Sequence, residues 1–153
     1  MNSSSSPRRA TEADVAAIRS VVRAAYEEYL ERMDRPPAPL ERDYTEAIRG
    51  GGVWVAGDPV VAVISLTPTV NGALLVENVA VHPSAQGAGL GRLLMNFAEE
   101  HAARLKLERV TLYTNEAMME NVAIYEHLGY VETGRVTQDG YRRVFMEKSL
   151  RHA

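Results

Sequence analysis

The chain has 153 residues, enough for one domain of ordinary size, and its 46% apolar and 24% charged residues suit a folded protein rather than a disordered one. It contains no cysteine, which excludes a disulfide framework, a thiolate zinc site and a cysteine nucleophile. Lys+Arg is 17 against 20 Asp+Glu, a formal net charge of −3, and a mildly acidic chain is poorly equipped to neutralise nucleic-acid phosphates.

Residues 1–6 read as a polar, disordered tail without the apolar stretch of a secretory signal, and residues 7–150 as a single domain. The longest apolar run, Val60 to Ile64, falls far short of the roughly 20 residues that span a membrane. The expectation is a cytoplasmic protein. Pro7 to Ala10 forms a short first strand. Thr11-Glu12-Ala13-Asp14 has the pattern of a capping box, in which an acid three residues on answers the free N–H groups of a helix start. Val15, Ile18, Val22, Ala25, Tyr26 and Tyr29 then recur at helical spacing. The prolines of 33–39 break that helix, because proline lacks an N–H and fixes φ. A weaker helix follows from Leu40 to Arg49, with Tyr44, Ala47 and Ile48 inward, and Gly50-Gly51-Gly52 ends it.

The period then changes. Val53 to Ala56 and Val60 to Leu66 predict strands 2 and 3, with Trp54 as a core anchor. Asn71-Gly72 marks a hairpin turn, and Leu74 to Val81 is strand 4. After a glycine-rich loop, Leu90, Leu93, Leu94, Phe97, Ala98, Ala102 and Leu105 make the stripe of a long helix. Arg109 to Thr114 is strand 5, and Met118 to Leu128 a short helix stopped by Gly129. Tyr130 to Val136 and Tyr141 to Lys148 form a last hairpin around Asp139-Gly140. The order β-α-α-β-β-β-α-β-α-β-β predicts an α/β fold: a mixed sheet of six to seven strands flanked by about four helices. Strand 4, the long helix and strand 5 make a parallel βαβ unit.

The most informative stretch runs from Val79 through Gln86, Gly87, Ala88, Gly89, Leu90 and Gly91 to Arg92. A strand ends, glycines alternate, and a helix starts at once. Without a Cβ the backbone turns tightly and a ligand approaches closely. The free N–H groups and dipole of the helix start favour phosphate oxygens. No Gly-Lys-Ser/Thr follows, so the P-loop pattern fails. Leu94 stands where the dinucleotide fingerprint needs its third glycine. What remains is Gln86-x-x-Gly89-x-Gly91.

That pattern, led by Glu77-Asn78-Val79-Ala80-Val81-His82-Pro83, resembles strand 4 and the acetyl-CoA loop of the GNAT superfamily of N-acetyltransferases. Asn121-Val122-Ala123-Ile124-Tyr125 with Leu128-Gly129-Tyr130 is similar to that superfamily's later motif. The resemblance covers about residues 8–148. It implies acetyl-CoA as cosubstrate, bound in the cleft between strands 4 and 5, with its pyrophosphate on Gln86, Gly87, Ala88, Gly89, Leu90, Gly91 and Arg92. It implies that the two strands splay, so that backbone groups of Val79, Ala80 and Val81 meet pantetheine and the thioester oxygen. A bulge in strand 4 is expected, since bulges re-aim backbone groups near sites.

Acetyl transfer to an amine makes three demands: a polarised thioester carbonyl, a neutral amine, and a proton for the leaving thiolate. By the resemblance Tyr125 is the acid, four residues after Asn121 on one helix face, and Asn121 hydrogen-bonds the pantetheine or pyrophosphate arm. Glu77 is either the general base, working through water, or a solvent-facing strand carboxylate. The primary amine attacks directly, without a covalent enzyme intermediate. No metal is implied, because the histidines lack ligand spacing. The acceptor, a small amine or a peptide, belongs to residues about 24–50 and the last hairpin, where there is no motif. Glu27, Glu28, Glu31, Glu41 and Glu46 make the first of these acidic, through either a cationic acceptor or a solvated helix face. Tyr26, Tyr29 and Tyr44 there serve the core or line the acceptor pocket. Neither nucleic acid nor membrane is an expected partner, and a homodimer is a family-level expectation. The alternative function is a catalytically weak CoA-binding or sensor protein of the same fold.

Overall fold

The computed structural model describes residues 6–33, 36, 38–138 and 140–150. The expected tail, apart from Ser6, lies outside the described residues, as do part of the proline-rich break and Asp139 of the last turn. The strands are β1 (Arg8–Arg9), β2 (Val53–Ala56), β3 (Ala62–Pro68), β4 (Ala73–Val81), β5 (Arg109–Asn115), β6 (Val131–Gln138) and β7 (Tyr141–Ser149). The α-helices are α1 (Val15–Tyr26), α2 (Ala38–Glu41), α3 (Tyr44–Arg49), α4 (Leu90–Arg104) and α5 (Met119–His127). The seven strands form one mixed sheet in the order β1-β2-β3-β4-β5-β7-β6. The chain divides into two compact units, residues 1–66 with 78–97, and residues 67–77 with 98–153, so that β4 passes from the second into the first.

In the first unit the capping box forms. The Asp14 carboxylate accepts the Thr11 N–H at 2.8 Å and two N–H bonds from Arg8 at 2.9 Å each. The Arg8 hydrogen bonds lead in holding that carboxyl down at about 2. A single 3₁₀ turn then leads into α1, whose buried face is Ile18, Val21 and Val22. Val21 joins the face that spacing assigned to Val22. The weak second helix is two pieces rather than one, because Asp43 leaves the helical conformation and caps α3, accepting the Glu46 N–H at 3.2 Å. Tyr44 and Ile48 are buried as expected, and pack with Ile18, Val21, Val22, Val53, Val55 and Val63. Each such apolar side chain contributes about 1.5–3 kcal/mol on burial. Trp54 is 7% exposed and its ring meets Phe97 at 5.5 Å. The glutamates 27, 28, 31, 41 and 46 are all exposed.

In the second unit β4 and β5 pair in parallel from Ala73–Arg109 to Val76–Leu112. Both strands continue, β4 to Val81 and β5 to Asn115. From Arg109 to Asn115 β5 also pairs antiparallel with β7. The β4–β5 register is regular from Ala73 to Val76, and in the β6–β7 pairing a register shift lies between Glu132 and Gly134. α4 passes from the first unit into the second after Phe97, and its buried residues include Leu94 and Met95 in the first and Ala98 and Ala102 in the second. Leu105 is 45% exposed, against expectation: α4 stops at Arg104 and Lys106 turns left-handed (φ 61°), which takes Leu105 off the stripe. No helix among the described residues is long and apolar enough to cross a membrane.

Candidate functional site

In the first unit β4 alternates, with Asn78 and Ala80 inward and Val79 and Val81 half-buried. Pro83 opens a short 3₁₀ turn that ends the strand, and the His82 ring nitrogen Nδ1 accepts the Ser84 N–H at 3.1 Å. His82 therefore shapes the turn. Gln86 folds back, its amide Nε2 donating to the Val81 carbonyl at 3.2 Å. Gly87 and Gly89 hold φ of 89° and 82°, a conformation that L side chains adopt with strain. They swing the chain into α4, whose first intrahelical bond runs from the Leu93 N–H to the Gly89 carbonyl at 3.0 Å. The N–H groups of Leu90, Gly91 and Arg92 precede that bond, so the helix does not use them. Gln86 to Gly89 are exposed or half-buried, and Arg92 is exposed and forms no ion pair among the described residues. A Cβ built on Gly87, Gly89 or Gly91 meets no atom within 4 Å. Among the described residues nothing stands against these three positions, so the glycines leave room for something other than the chain. The arrangement is an open row of N–H donors with a positive charge beside it, which suits phosphate oxygens.

Asn78 is a polar residue that sequence reading passed over. It is 4% exposed. Its Oδ1 accepts the Tyr26 hydroxyl at 3.0 Å, and its Nδ2 donates to the Tyr44 hydroxyl at 3.2 Å. The Tyr44 hydroxyl donates on to the Pro39 carbonyl at 2.8 Å. Burial pushes the Tyr44 phenol up to about 12. One chain of hydrogen bonds thus links β4 to α1 and, through Tyr44 of α3, to α2. The signal was in the sequence: an asparagine at an inward position of a β-branched strand must have partners. Of the three tyrosines weighed for an acceptor pocket, Tyr26 and Tyr44 belong to this network.

The second unit holds Glu77, Asn121 and Tyr125. Glu77 is half-buried and its carboxylate accepts the Thr67 hydroxyl. Asn121 and Tyr125 lie four residues apart on α5 and are both half-buried. Neither the Asn121 amide nor the Tyr125 hydroxyl has a hydrogen-bond partner among the described residues. The Tyr125 ring stands edge-on to Tyr130 at 6.1 Å. Tyr130 is fixed in turn, its hydroxyl donating to Glu99 at 3.0 Å, and Lys148 bridges Glu99 and the Leu128 carbonyl at 3.0 Å each. Desolvation pushes the Tyr125 phenol well above its ordinary value. It therefore keeps its proton across the whole working range of pH and offers a donor. The structure brings Asn121 and Tyr125 to one helix face and sets the loop residues Val79 to Arg92 in one continuous segment.

Known proteins resemble this chain at three levels. The model of a family described as acetyltransferase (GNAT) domain matches residues 49–132, more than half of the 153. Mycothiol acetyltransferase from Geodermatophilus obscurus is 42% identical over 50 residues, 33% of this chain and 16% of that protein. The chain thus spans well under two thirds of that curated relative. The ribosomal-protein-alanine N-acetyltransferase from Brucella melitensis superposes with a TM-score of 0.71 at 25% identity, over 94% of this chain and 99% of that one. The PaiA N-acetyltransferase from Thermoplasma acidophilum, solved in complex with coenzyme A, superposes with a TM-score of 0.76 at 16% identity, over 94% and 97%. The second of these superpositions shows the fold alone.

Proposed function

The chain belongs to the GNAT acetyltransferase family, and from that premise we propose that it moves an acetyl group from acetyl-CoA to a primary amine by direct attack. The observation that carries the reading is the open Gln86–Arg92 segment, where three glycines leave space beside helix N–H groups that the fold does not use. The bound coenzyme in the Thermoplasma relative supports the same ligand class. No metal enters the reading.

Each demand of the reaction then has a residue. The pyrophosphate takes the N–H groups of Gly87, Ala88, Gly89, Leu90 and Gly91 and the charge of Arg92. A backbone N–H among Val79, Ala80 and Val81 takes the negative charge that builds on the thioester oxygen. The β4–β5 ladder stops at Val76–Leu112, ahead of these residues, which supports their assignment to a ligand. Asn121 offers its amide to the pantetheine arm. Tyr125 gives a hydrogen bond to the departing sulfur. With its phenol held far above a thiol of about 8.5, it steadies the thiolate without surrendering its own proton to solvent beforehand. Glu77, oriented by Thr67, removes the proton of the amine through water. The tetrahedral intermediate then expels the thiolate, and no acyl-enzyme forms. Residues 7–150 act as one catalytic domain of the cytoplasm.

The test is CoA thiol release from acetyl-CoA across amines, amino acids, polyamines, aminoglycosides and N-terminal peptides, with Tyr125→Phe beside wild type. Turnover with one acceptor class should fall about 10²-fold in Tyr125→Phe while the CoA dissociation constant holds, as expected for a proton donor to a leaving group. Tight CoA binding without turnover on any acceptor favours a CoA-binding sensor. Failure to bind CoA rejects the reading outright.

A further inference from the structure

Arg143 lies on β7 in an unusual setting. It is half-buried, its guanidinium 4.4 Å from the centre of the Tyr113 ring and 5.2 Å from that of Tyr141. Its Nη1 donates to the Gln138 Oε1 at 3.2 Å. Among the described residues it pairs with no carboxylate, and neither does its exposed neighbour Arg142. Other arginines of the same unit are neutralised: Arg109 pairs with Glu147 at 3.0 Å, and Arg135 with Glu132 at 2.9 Å and Glu116 at 4.0 Å. Arg143 instead carries its charge half-buried beside aromatic rings, with no carboxylate against it among the described residues. Two rings and an amide fix its plane but engage only one of its five N–H donors by hydrogen bonding. A fork held flat and left mostly unfilled is arranged for a planar or tetrahedral oxyanion.

Its place in the fold agrees. Asn115–Arg143 is the last pair of the β5–β7 register, at the carboxyl end of β5, three residues past Leu112, the last β5 residue in the parallel register with β4. Ligands of α/β sheets gather at the carboxyl ends of parallel strands. A cleft of about 240 Å³ opens there, lined by Glu116, Arg135, Thr137, Arg142 and Arg143 among others, and α5 starts directly after the turn that holds Glu116. The cleft has room for one small charged group, not for an extended chain. Because Glu132 and Glu116 already answer Arg135, the charge left unanswered among the described residues is that of Arg142 and Arg143.

We propose that this cleft is an anion site, with Arg142 and Arg143 holding a carboxylate or phosphate group carried by the acceptor whose amine is acetylated. The proposal rests on the acetyltransferase reading for its second half, and names the acceptor as an amine with an anionic group at its other end.

Nitrogen-15-labelled full-length chain titrated with inorganic phosphate tests the first half. The arginine Nε–Hε resonances of Arg142 and Arg143 should shift and saturate. Arg143→Gln should weaken that binding at least about tenfold, and Arg143→Lys should recover only part of it, because a point charge replaces the fork. Arg142→Gln, at an exposed position, is the variant that folds in any case and should also weaken it. No saturable shift in wild type, or equal affinity in all variants, overturns the proposal. The source of the anion is read from paired acceptors with acetyl-CoA: β-alanine against its amide, and phosphoethanolamine against ethanolamine. The anionic member should have the higher kcat/KM by about tenfold or more, and Arg143→Gln should erase the difference. Equal rates, or no turnover in either pair while phosphate binds, assigns the site to a free ion and overturns the acceptor half. A wild-type chain that fails to bind CoA rejects the enzymatic reading instead, and the phosphate result stands by itself.

Discussion

Asn78 carries more of the fold than its single side chain suggests. Its carbonyl oxygen and its amide each hold one tyrosine hydroxyl, and Tyr44 passes the chain on to Pro39. Removing the middle member deletes two of these bonds at once, while Tyr44 keeps its bond to Pro39. Asn78→Leu is expected to cost about 1–3 kcal/mol in urea unfolding, since each hydrogen bond lost is worth about 0.5–1.5 kcal/mol. Tyr26→Phe should then cost less in the Asn78→Leu background than in wild type, because the bond between the two residues is already gone. Equal costs in the two backgrounds would mean that packing, not the hydrogen bonds, is what Asn78 supplies. Tyr125 is the opposite case. Its hydroxyl has no partner among the described residues, and the proposed reaction uses that unengaged donor at the departing sulfur.

At the scale of the element, the strand-loop-helix from β4 to α4 makes the sharpest prediction. Gly91 is helical, carries no positive φ, and has open space where a Cβ would stand. The free protein thus has no need of glycine there. Alanine is the better helix former by up to about 1 kcal/mol. Gly91→Ala should leave the free chain equally or more stable in thermal unfolding, and yet weaken CoA binding at least about tenfold in calorimetry, because the methyl group meets the pyrophosphate. Unchanged CoA affinity would remove this loop from the site. Elements such as this were the legible ones. A strand of β-branched residues, a Gln-x-x-Gly-x-Gly loop and a long amphipathic stripe each carry a local signal, and β4, the loop and α4 fall where that signal put them. The misses have tertiary causes. The 40–49 helix divides because Asp43 caps α3, a choice that propensity does not make. Leu105 leaves its stripe because Lys106 turns left-handed. Arg143 has no motif at all. Its neighbours Tyr113 and Gln138 come from other strands, so only the register of β5, β6 and β7 assembles that setting.

At the scale of the whole molecule, binding is linked to stability. A ligand that binds only the folded chain stabilises it by RT ln(1 + [L]/Kd), about 2.7 kcal/mol at one hundred times Kd. For a chain of 153 residues each kcal/mol moves Tm by roughly 2–4 °C, so saturating CoA should raise Tm by about 5–10 °C. Selectivity is the informative part. ATP and NAD carry the same kind of pyrophosphate, and a loop that offered only N–H groups to phosphate would accept all three. The acetyltransferase assignment asks more: the backbone of Val79, Ala80 and Val81 and the Asn121 amide meet pantetheine, which neither ATP nor NAD possesses. CoA should therefore shift Tm far more than ATP or NAD at equal concentration. Equal shifts would reduce the site to a general phosphate cradle and withdraw the roles of Val79 to Val81 and Asn121, while leaving the loop itself in place. Because Tm integrates every bond the ligand makes, this one comparison weighs the pantetheine contacts against the phosphate contacts directly.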